Sequence, residues 1–316
     1  MSTDSLKVLI VAGGLTHERD VSVRSGRRVA NSLINQGFDA KVVDFDQNLP
    51  SEISAFGPDV VWPLVHGSLG EDGSLQSLLE GVGVPYVGST PAQAMLASNK
   101  PTAKALVGAA GLDTPGWIAL PQLLFRQLGA HNALGMISSS LTFPLVVKPS
   151  SGGSALGMSR AQDPGDLRSA MVDAFSYEEH VMLERFIEGR DIAVSVVDLD
   201  EGPIALPPVE VATDDGHYDY DARYTTDESE YFVPARLSND EMTDVQAAAI
   251  QIHELLGLRD LSRIDFIVDD NGSFWFIDAN VSPGMTDTSL FPQAAEATGS
   301  FDEICAAIVR YVAGRG

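Results

Sequence analysis

Two short triplets carry the side chains best placed to do chemistry. Arg263-Ile264-Asp265 and Asp278-Ala279-Asn280 each set two polar groups two residues apart across an apolar one. Side chains alternate along an extended strand, so each pair faces one side of its strand. If the strands are hairpin neighbours, two carboxylates and an amide oxygen meet beside a guanidinium. Such hard oxygen donors suit magnesium that keeps phosphate in its remaining positions. The plain alternative is a solvated sheet face with surface ion pairs, and spacing leaves both open. Directly after comes Val281-Ser282-Pro283-Gly284-Met285-Thr286, where Gly284 would let backbone N–H groups approach a developing oxyanion.

Three other segments offer ligand chemistry. Lys148 leaves a buried strand at 144–148 and enters Pro149-Ser150-Ser151-Gly152-Gly153-Ser154. Small residues there could fold over a triphosphate while the lysine holds charge, and a flexible linker explains the composition equally well. Glu184 to Ile187, at the end of the following strand, offer an edge and backbone to a purine, on order alone. Gly13 to Ser22 joins the first strand to its helix, where α/β folds bind ligands at the carboxyl end of the sheet. Glu18 in that loop either meets a ligand or complements the helix dipole. His66-Gly67 ends another strand, where a lone histidine is more often structural than catalytic. Several signatures are absent. No Gly-Lys dipeptide exists for a Walker loop, residues 152–156 lack the closing glycine of a nucleophile elbow, and His253-Glu254 lacks the second histidine of a zincin.

The elements that must position these groups read as alternating strands and helices. Val8–Val11, a helix over 21–36 and a strand over 40–43 form a β-α-β unit with a parallel sheet. A strand over 59–65 and a helix over 73–81 follow. A helix over 91–111, the strand at 144–148, a helix after Pro164 and a strand over 181–184 build a second segment. Longer strands over 192–197, 204–211, 264–268 and 274–277 build a third, the last two flanking Asp269-Asp270-Asn271-Gly272, a hairpin-turn sequence. The expected division is 1–97, 98–187 and 188–316. Residues 212–234 are polar, carry four tyrosines and are too long for an ordinary turn, which marks a lid or a disordered loop.

Composition narrows the partners. The chain has 316 residues, with 20 Lys and Arg against 44 Asp and Glu, a formal net charge of −24. That length predicts two or three domains. The acidity and the absence of a basic run argue against nucleic acid. No apolar run approaches a membrane span. The single Cys305 cannot close an intrachain disulfide and sits in an apolar helical pattern, so a core thiol in a reducing cytoplasm is expected. Any anionic ligand must meet a pocket built from a few chosen bases.

Taken in order, these segments resemble the D-alanine:D-alanine ligase family of ATP-grasp enzymes through nearly the whole chain. The carriers are GGLTHERDVSVRSG at 13–26, HGSLGEDGSLQSLLE at 66–80, PYVGS at 85–89, VKPSSGGSALGMS at 147–159, YDYDARY at 218–224, SRIDF at 262–266 and DANVSPGMTDTSL at 278–290. The resemblance implies an α/β (α+β) three-domain ATP-grasp fold with an N-terminal parallel α/β domain. It implies ATP-dependent ligation of two D-alanines through an acyl phosphate, for a peptidoglycan precursor. Glu18 would bind the ammonium of the first D-alanine, linked through Ser154 to the lid tyrosine Tyr224, with His66 among the substrate contacts. Lys100, Lys148 and Arg223 would serve the phosphates, Glu184 and the Ile187 backbone the adenine, and Asp191 the ribose. Asp265, Asp278 and Asn280 match the ligands of magnesium or manganese, with two ions expected. Arg263 and the Gly284 N–H would hold the tetrahedral oxyanion, and Ser289 with the Leu290 N–H the carboxylate of the second D-alanine. A cytoplasmic homodimer, joined through the first domain, completes what the resemblance implies.

The sequence departs from the family pattern at five positions. Asp278 stands for a glutamate, Arg223 for a lysine, Ala155 for a serine, Asp191 for a glutamate and Asn99 for a common aspartate. Arginine and lysine differ in geometry, and each shortened carboxylate moves its oxygens back by a methylene. Two alternatives therefore remain: a ligase of the same kind with other amino-acid substrates, and a nucleotide-binding homologue with little turnover.

Overall fold

The computed structural model describes residues 5–152, 155–213 and 229–315. The chain begins with β1 (Lys7–Ala12), α1 (Arg19–Asn35), β2 (Asp39–Asp44), α2 (Leu49–Phe56) and β3 (Val60–Pro63). These form a three-stranded parallel sheet in the order β2-β1-β3. Helix α1 lies on it because Val21, Ser22, Ser25, Val29 and Leu33 recur at three- and four-residue spacing and are all buried. Two short helices, α3 (Ser68–Glu71) and α4 (Ser74–Val82), follow the third strand.

The helix expected over 91–111 is two helices, α5 (Pro91–Ser98) and α6 (Lys100–Ala109). Proline at 101 is the reason: its ring would clash with the carbonyl four residues earlier in a continuous helix, whereas near a helix start its missing N–H costs nothing. Asn99 caps the new start, its Oδ1 accepting the Thr102 N–H at 3.0 Å. The asparagine that departs from the family pattern therefore does the capping an aspartate would do. The break also turns Lys100 toward the glycine-rich loop.

A four-stranded antiparallel sheet follows in the order β4-β7-β5-β6, from β4 (Trp117–Pro121), β5 (Leu145–Pro149), β6 (Ser159–Ala161) and β7 (His180–Arg185). Helices α7 (Gln122–Leu128), α8 (Ala130–Ser140) and α9 (Leu167–Phe175) accompany it, and Ile137, Leu145, Leu167, Met171 and Leu183 form its core. The last sheet has six strands: β8 (Arg190–Leu199), β9 (Gly202–Ala205), β10 (Val209–Thr213), β11 (Ser229–Phe232), β12 (Asp260–Val268) and β13 (Phe274–Asn280). The single strand expected over 204–211 is split into β9 and β10 because Pro207 and Pro208 have no N–H for a ladder. Helix α10 (Asn239–Leu255) opens with a capping box between Ser238 and Glu241.

The chain then returns to its beginning. Helix α11 (Leu290–Thr298) leads to α12 (Phe301–Ala313), whose Cys305, Ile308, Val309 and Val312 share one core with Val8, Ile10, Val29 and Leu33. Cys305 is fully buried, and burial pushes its thiol up to about 12, as a core cysteine requires. Among the described residues no helix is long and apolar enough to cross a membrane.

Candidate active site

Strands β12 and β13 pair antiparallel, with Asp265 opposite Asp278 and Arg263 opposite Asn280. Both triplets therefore share one sheet face. Carboxylates placed directly opposite one another repel and would weaken the ladder. Two cations offset this. Arg263 donates from Nε and Nη2 to the two oxygens of Asp265, each at 2.7 Å, and Lys100 Nζ lies 3.3 Å from Asp278 Oδ2. Asn280 donates its Nδ2–H to Asp265 Oδ2 at 3.1 Å, so its amide oxygen is left as an acceptor. The register shifts just after Asp265, a bulge of the kind that re-aims side chains at sites. Among the described residues no three His, Cys, Asp or Glu side chains gather as a metal cage. Two carboxylates and an amide oxygen form instead a partial shell of hard donors, which fits magnesium or manganese completed by phosphate oxygens.

Lys100 joins this face to the glycine-rich loop. Its N–H donates to Ser150 O at 2.9 Å and its ammonium to Gly152 O. Glu178 holds the same loop from the other side, accepting the Ser151 N–H at 2.8 Å and its hydroxyl at 2.5 Å. Ala155, one of the departures, adopts φ 62, a left-handed conformation that costs a residue with a Cβ. Lys148 on β5 pairs with Glu184 on β7. The other Glu184 oxygen lies 2.9 Å from the ammonium of Lys104, which also donates to Thr114 Oγ1 at 2.9 Å and Phe276 O at 3.0 Å. Burial pulls Lys104 down to about 8 while the Glu184 charge opposes it. Burial works to raise Glu184, but the two ammonium groups outweigh it and hold its carboxyl below the ordinary range. Ile187 lies two residues past β7, and Asp191 on β8.

The other end of the site is built with few charges. Glu18 is buried just before α1, and a Cβ on Gly67 would stand 3.5 Å from its Oε1. His66 Nε2 is 3.0 Å from Ser25 Oγ, which accepts the Met285 N–H at 3.1 Å. Helix α1, the end of β3 and the loop after β13 are thereby joined at one hydroxyl. Glu71 supports them, its Oε1 accepting the Gly67 N–H at 3.2 Å and lying 3.8 Å from His66 Nδ1. Ser289, at the start of α11, accepts the Thr286 N–H at 3.0 Å. A Cβ on residue 284 would stand 2.7 Å from Ser289 Oγ, so only glycine allows this approach. One charge pair braces this end: Asp44 Oδ1 accepts the Gly14 N–H at 3.0 Å while both its oxygens receive Arg19.

A cavity of about 310 Å³ lies between these ends. Glu18, Lys100, Lys148, Asp191, Asp265, Asp278 and Leu290 line it, together with loop residues 151–152 and 155–156. Glu184, Ile187, Arg263, Asn280, Gly284, Ser289 and His66 are not on its wall. Ser154, and residues 214–228 of the expected lid with Arg223 and Tyr224, lie outside the described residues. Sequence reasoning missed Lys104, Ser25, Glu71 and Glu178. Lys104 had a signal, one helical turn beyond Lys100 on the buried face of Ala103 and Val107.

A parallel α/β unit ahead of two antiparallel sheets, closing on a lysine-lined cavity with a carboxylate pair at its wall, is the arrangement of ATP-grasp proteins. Known proteins agree. A model of the D-ala D-ala ligase C-terminus matches residues 106–310, and one of the N-terminus matches 47–89. The D-alanine–D-alanine ligase of Bordetella petrii is 37% identical over 304 residues, 96% of this chain and 91% of its own length. That of Nitrosospira multiformis is 36% identical over 304 residues, 96% and 95% of the two chains. Among solved structures, the VanG D-Ala:D-Ser ligase from Enterococcus faecalis superposes with TM-score 0.82 at 25% identity, over 98% of this chain and 100% of that one. The ATP complex of the D-alanine–D-alanine ligase from Bacillus anthracis gives 0.79 at 25%, over 98% and 97%. This chain belongs to the D-alanine–D-alanine ligase family.

Proposed function

We propose that the chain joins two D-alanines, using ATP, to make a dipeptide for peptidoglycan synthesis. The observation that carries this reading is the facing of Asp265 and Asp278 across one ladder, beside Lys100 and Lys148, in a cavity that Glu18 also lines. In this reading Glu18 holds the ammonium of the first D-alanine, whose own carboxylate attacks the γ-phosphorus of ATP, breaking its bond to the bridging oxygen and releasing ADP. Phosphoryl transfer is mainly positioning and neutralisation, which Lys100 and Lys148 supply without a nucleophilic side chain. Divalent ions, two by family analogy, held by Asp265, Asp278 and Asn280 would neutralise phosphate charge. The second D-alanine, its ammonium having lost a proton to solvent or base, then attacks the acyl-phosphate carbon with its free amine. Arg263 and the Gly284 N–H hold the oxyanion, Ser289 and the Leu290 N–H receive the second carboxylate, and phosphate leaves. His66, fixed through Ser25, shapes the amino-acid end. Glu184 and the Ile187 backbone would take adenine, and Asp191 the ribose.

The division at about residues 97 and 187 and a cytoplasmic homodimer belong to the same reading. For the dimer, Leu78 and Val82 on one face of α4, with Met95 on α5, are exposed apolar side chains of the first part. The test of function is product identity: D-alanine offered among other amino acids, with ATP and magnesium, should give the D-alanine dipeptide by mass spectrometry and phosphate release only when all three are present. Release independent of D-alanine would sink the substrate assignment.

A further inference from the structure

We infer that Lys104 is a positioning residue that fixes Glu184 as a hydrogen-bond acceptor and thereby sets a preference for 6-aminopurine over 6-oxopurine nucleotides. The inference rests on the proposed reading of Glu184 as the base contact and adds to it a residue outside the cavity wall.

The argument begins with donor counting. An ammonium has three N–H donors, and Lys104 donates to Thr114 Oγ1 at 2.9 Å and Phe276 O at 3.0 Å while its charge is paired with Glu184 Oε2 at 2.9 Å. Its side chain is wholly buried. These partners lie on β7, on the segment before β4 and on β13, so Lys104 cannot turn without breaking a contact with one of three elements. Lys148 is different. It lines the cavity and, among the described residues, pairs with the other oxygen of Glu184. A phosphate entering the cavity can draw Lys148 away, and Lys104 cannot follow.

The consequence falls on Glu184, which is itself 2% exposed. With Lys148 engaged by phosphate, Lys104 alone keeps the carboxylate ionised and its free oxygen fixed. A fixed carboxylate accepts and does not donate. It can receive an N–H from a 6-amino group and repels the lone pairs of a 6-oxo group. Without Lys104, burial favours the protonated acid, whose O–H could donate to a 6-oxo group. A site built around one hydrogen-bond polarity discriminates strongly against the reversed partner.

The test is direct binding of ADP and GDP to the full chain by titration calorimetry, with no turnover needed. The wild type should bind ADP at least about tenfold more tightly than GDP, the size expected of one charge-assisted hydrogen bond. Lys104→Met should weaken ADP by about tenfold or more and GDP by less than about threefold, so that the preference collapses. In a Glu184→Gln background, Lys104→Met should change the ratio by less than about twofold, because the route through Glu184 is already removed. Should Lys104→Met fail to fold, Thr114→Val keeps the ammonium but removes one of its acceptors, and should move the ratio in the same direction by about two- to fourfold. A folded variant that keeps the wild-type ratio overturns the inference, since a merely structural lysine would lower the melting temperature and leave the ratio alone. A wild type with no ADP preference overturns it too. Failure of the functional reading looks different: no ATP-dependent dipeptide from the wild type, whatever the binding ratios.

Discussion

At one end of the cavity Glu184 is held between the ammonium groups of Lys104 and Lys148, and Asp265 is clamped by Arg263; at the other, His66, Ser25, Met285 and Ser289 are joined by hydroxyl and backbone hydrogen bonds. The contrast follows from charge. In a chain with 44 acidic and 20 basic residues, a lysine meant for phosphate has acidic neighbours to pair with before phosphate arrives. Lys100 and Lys148 do so, with Asp278 and Glu184. Ligand binding at that end is therefore an exchange of ion-pair partners. The amino-acid end depends on close approach and fixed donors, which tolerate little change in shape.

Removing charge at the first end should produce the largest effect. Asp278→Asn deletes a ligand oxygen charge and leaves Lys100 without its partner, so ATP-dependent phosphate release should fall by about 10²- to 10³-fold while circular dichroism is unchanged. Wild-type turnover in that variant would remove Asp278 from the metal set. At the second end, Gly284→Ala should cost about 10²-fold in kcat/KM for D-alanine, because the new methyl displaces Ser289 and the backbone N–H beside it. ADP affinity should not move in that variant; if it drops as far as D-alanine use, the two ends are not separable.

The Arg19–Asp44 pair sharpens the comparison by being the charged exception at the amino-acid end. Its hydrogen bond to Arg19 is the main reason that the Asp44 carboxyl falls to about 2 from 3.8. A lowered folded value means the pair's contribution is complete above about 3.8 and is lost as pH falls through about 2. Both side chains are substantially exposed, so solvent screening keeps the contribution small. Asp44→Asn should slightly flatten the melting temperature against pH between those values. The smallest effect expected is from Ala155→Gly, which relieves the left-handed strain in the phosphate loop and should stabilise by less than about 1 kcal/mol in chemical denaturation.

Period-two spacing pairs Arg263 with Asp265 and Asp278 with Asn280 on their own strands, but the bulge after Asp265 brings the two pairs to one face; the hairpin register continued without it would set Asp265 opposite Ile277. Their neighbours in space were harder to read. Lys104 meets Glu184 across 80 positions of sequence, and its place on the buried face of its helix, beside Ala103 and Val107, does not reveal which carboxylate it meets. Ser25 meets Met285 across a still longer separation. The break at Asn99 and the split before Val209 were legible in principle, since both turn on prolines. Apolar periodicity outweighed them in the reading, although a missing N–H decides such cases.

The return of α12 to the first sheet has a consequence for synthesis. Residues near the amino end leave the ribosome long before Cys305, Ile308 and Val309 exist to cover them. Translation alone cannot finish this opening unit; it must wait, partly uncovered, for the closing helix. Nascent chains arrested before Phe301 should be cut within α1 by added protease, and chains released after Ala313 should resist.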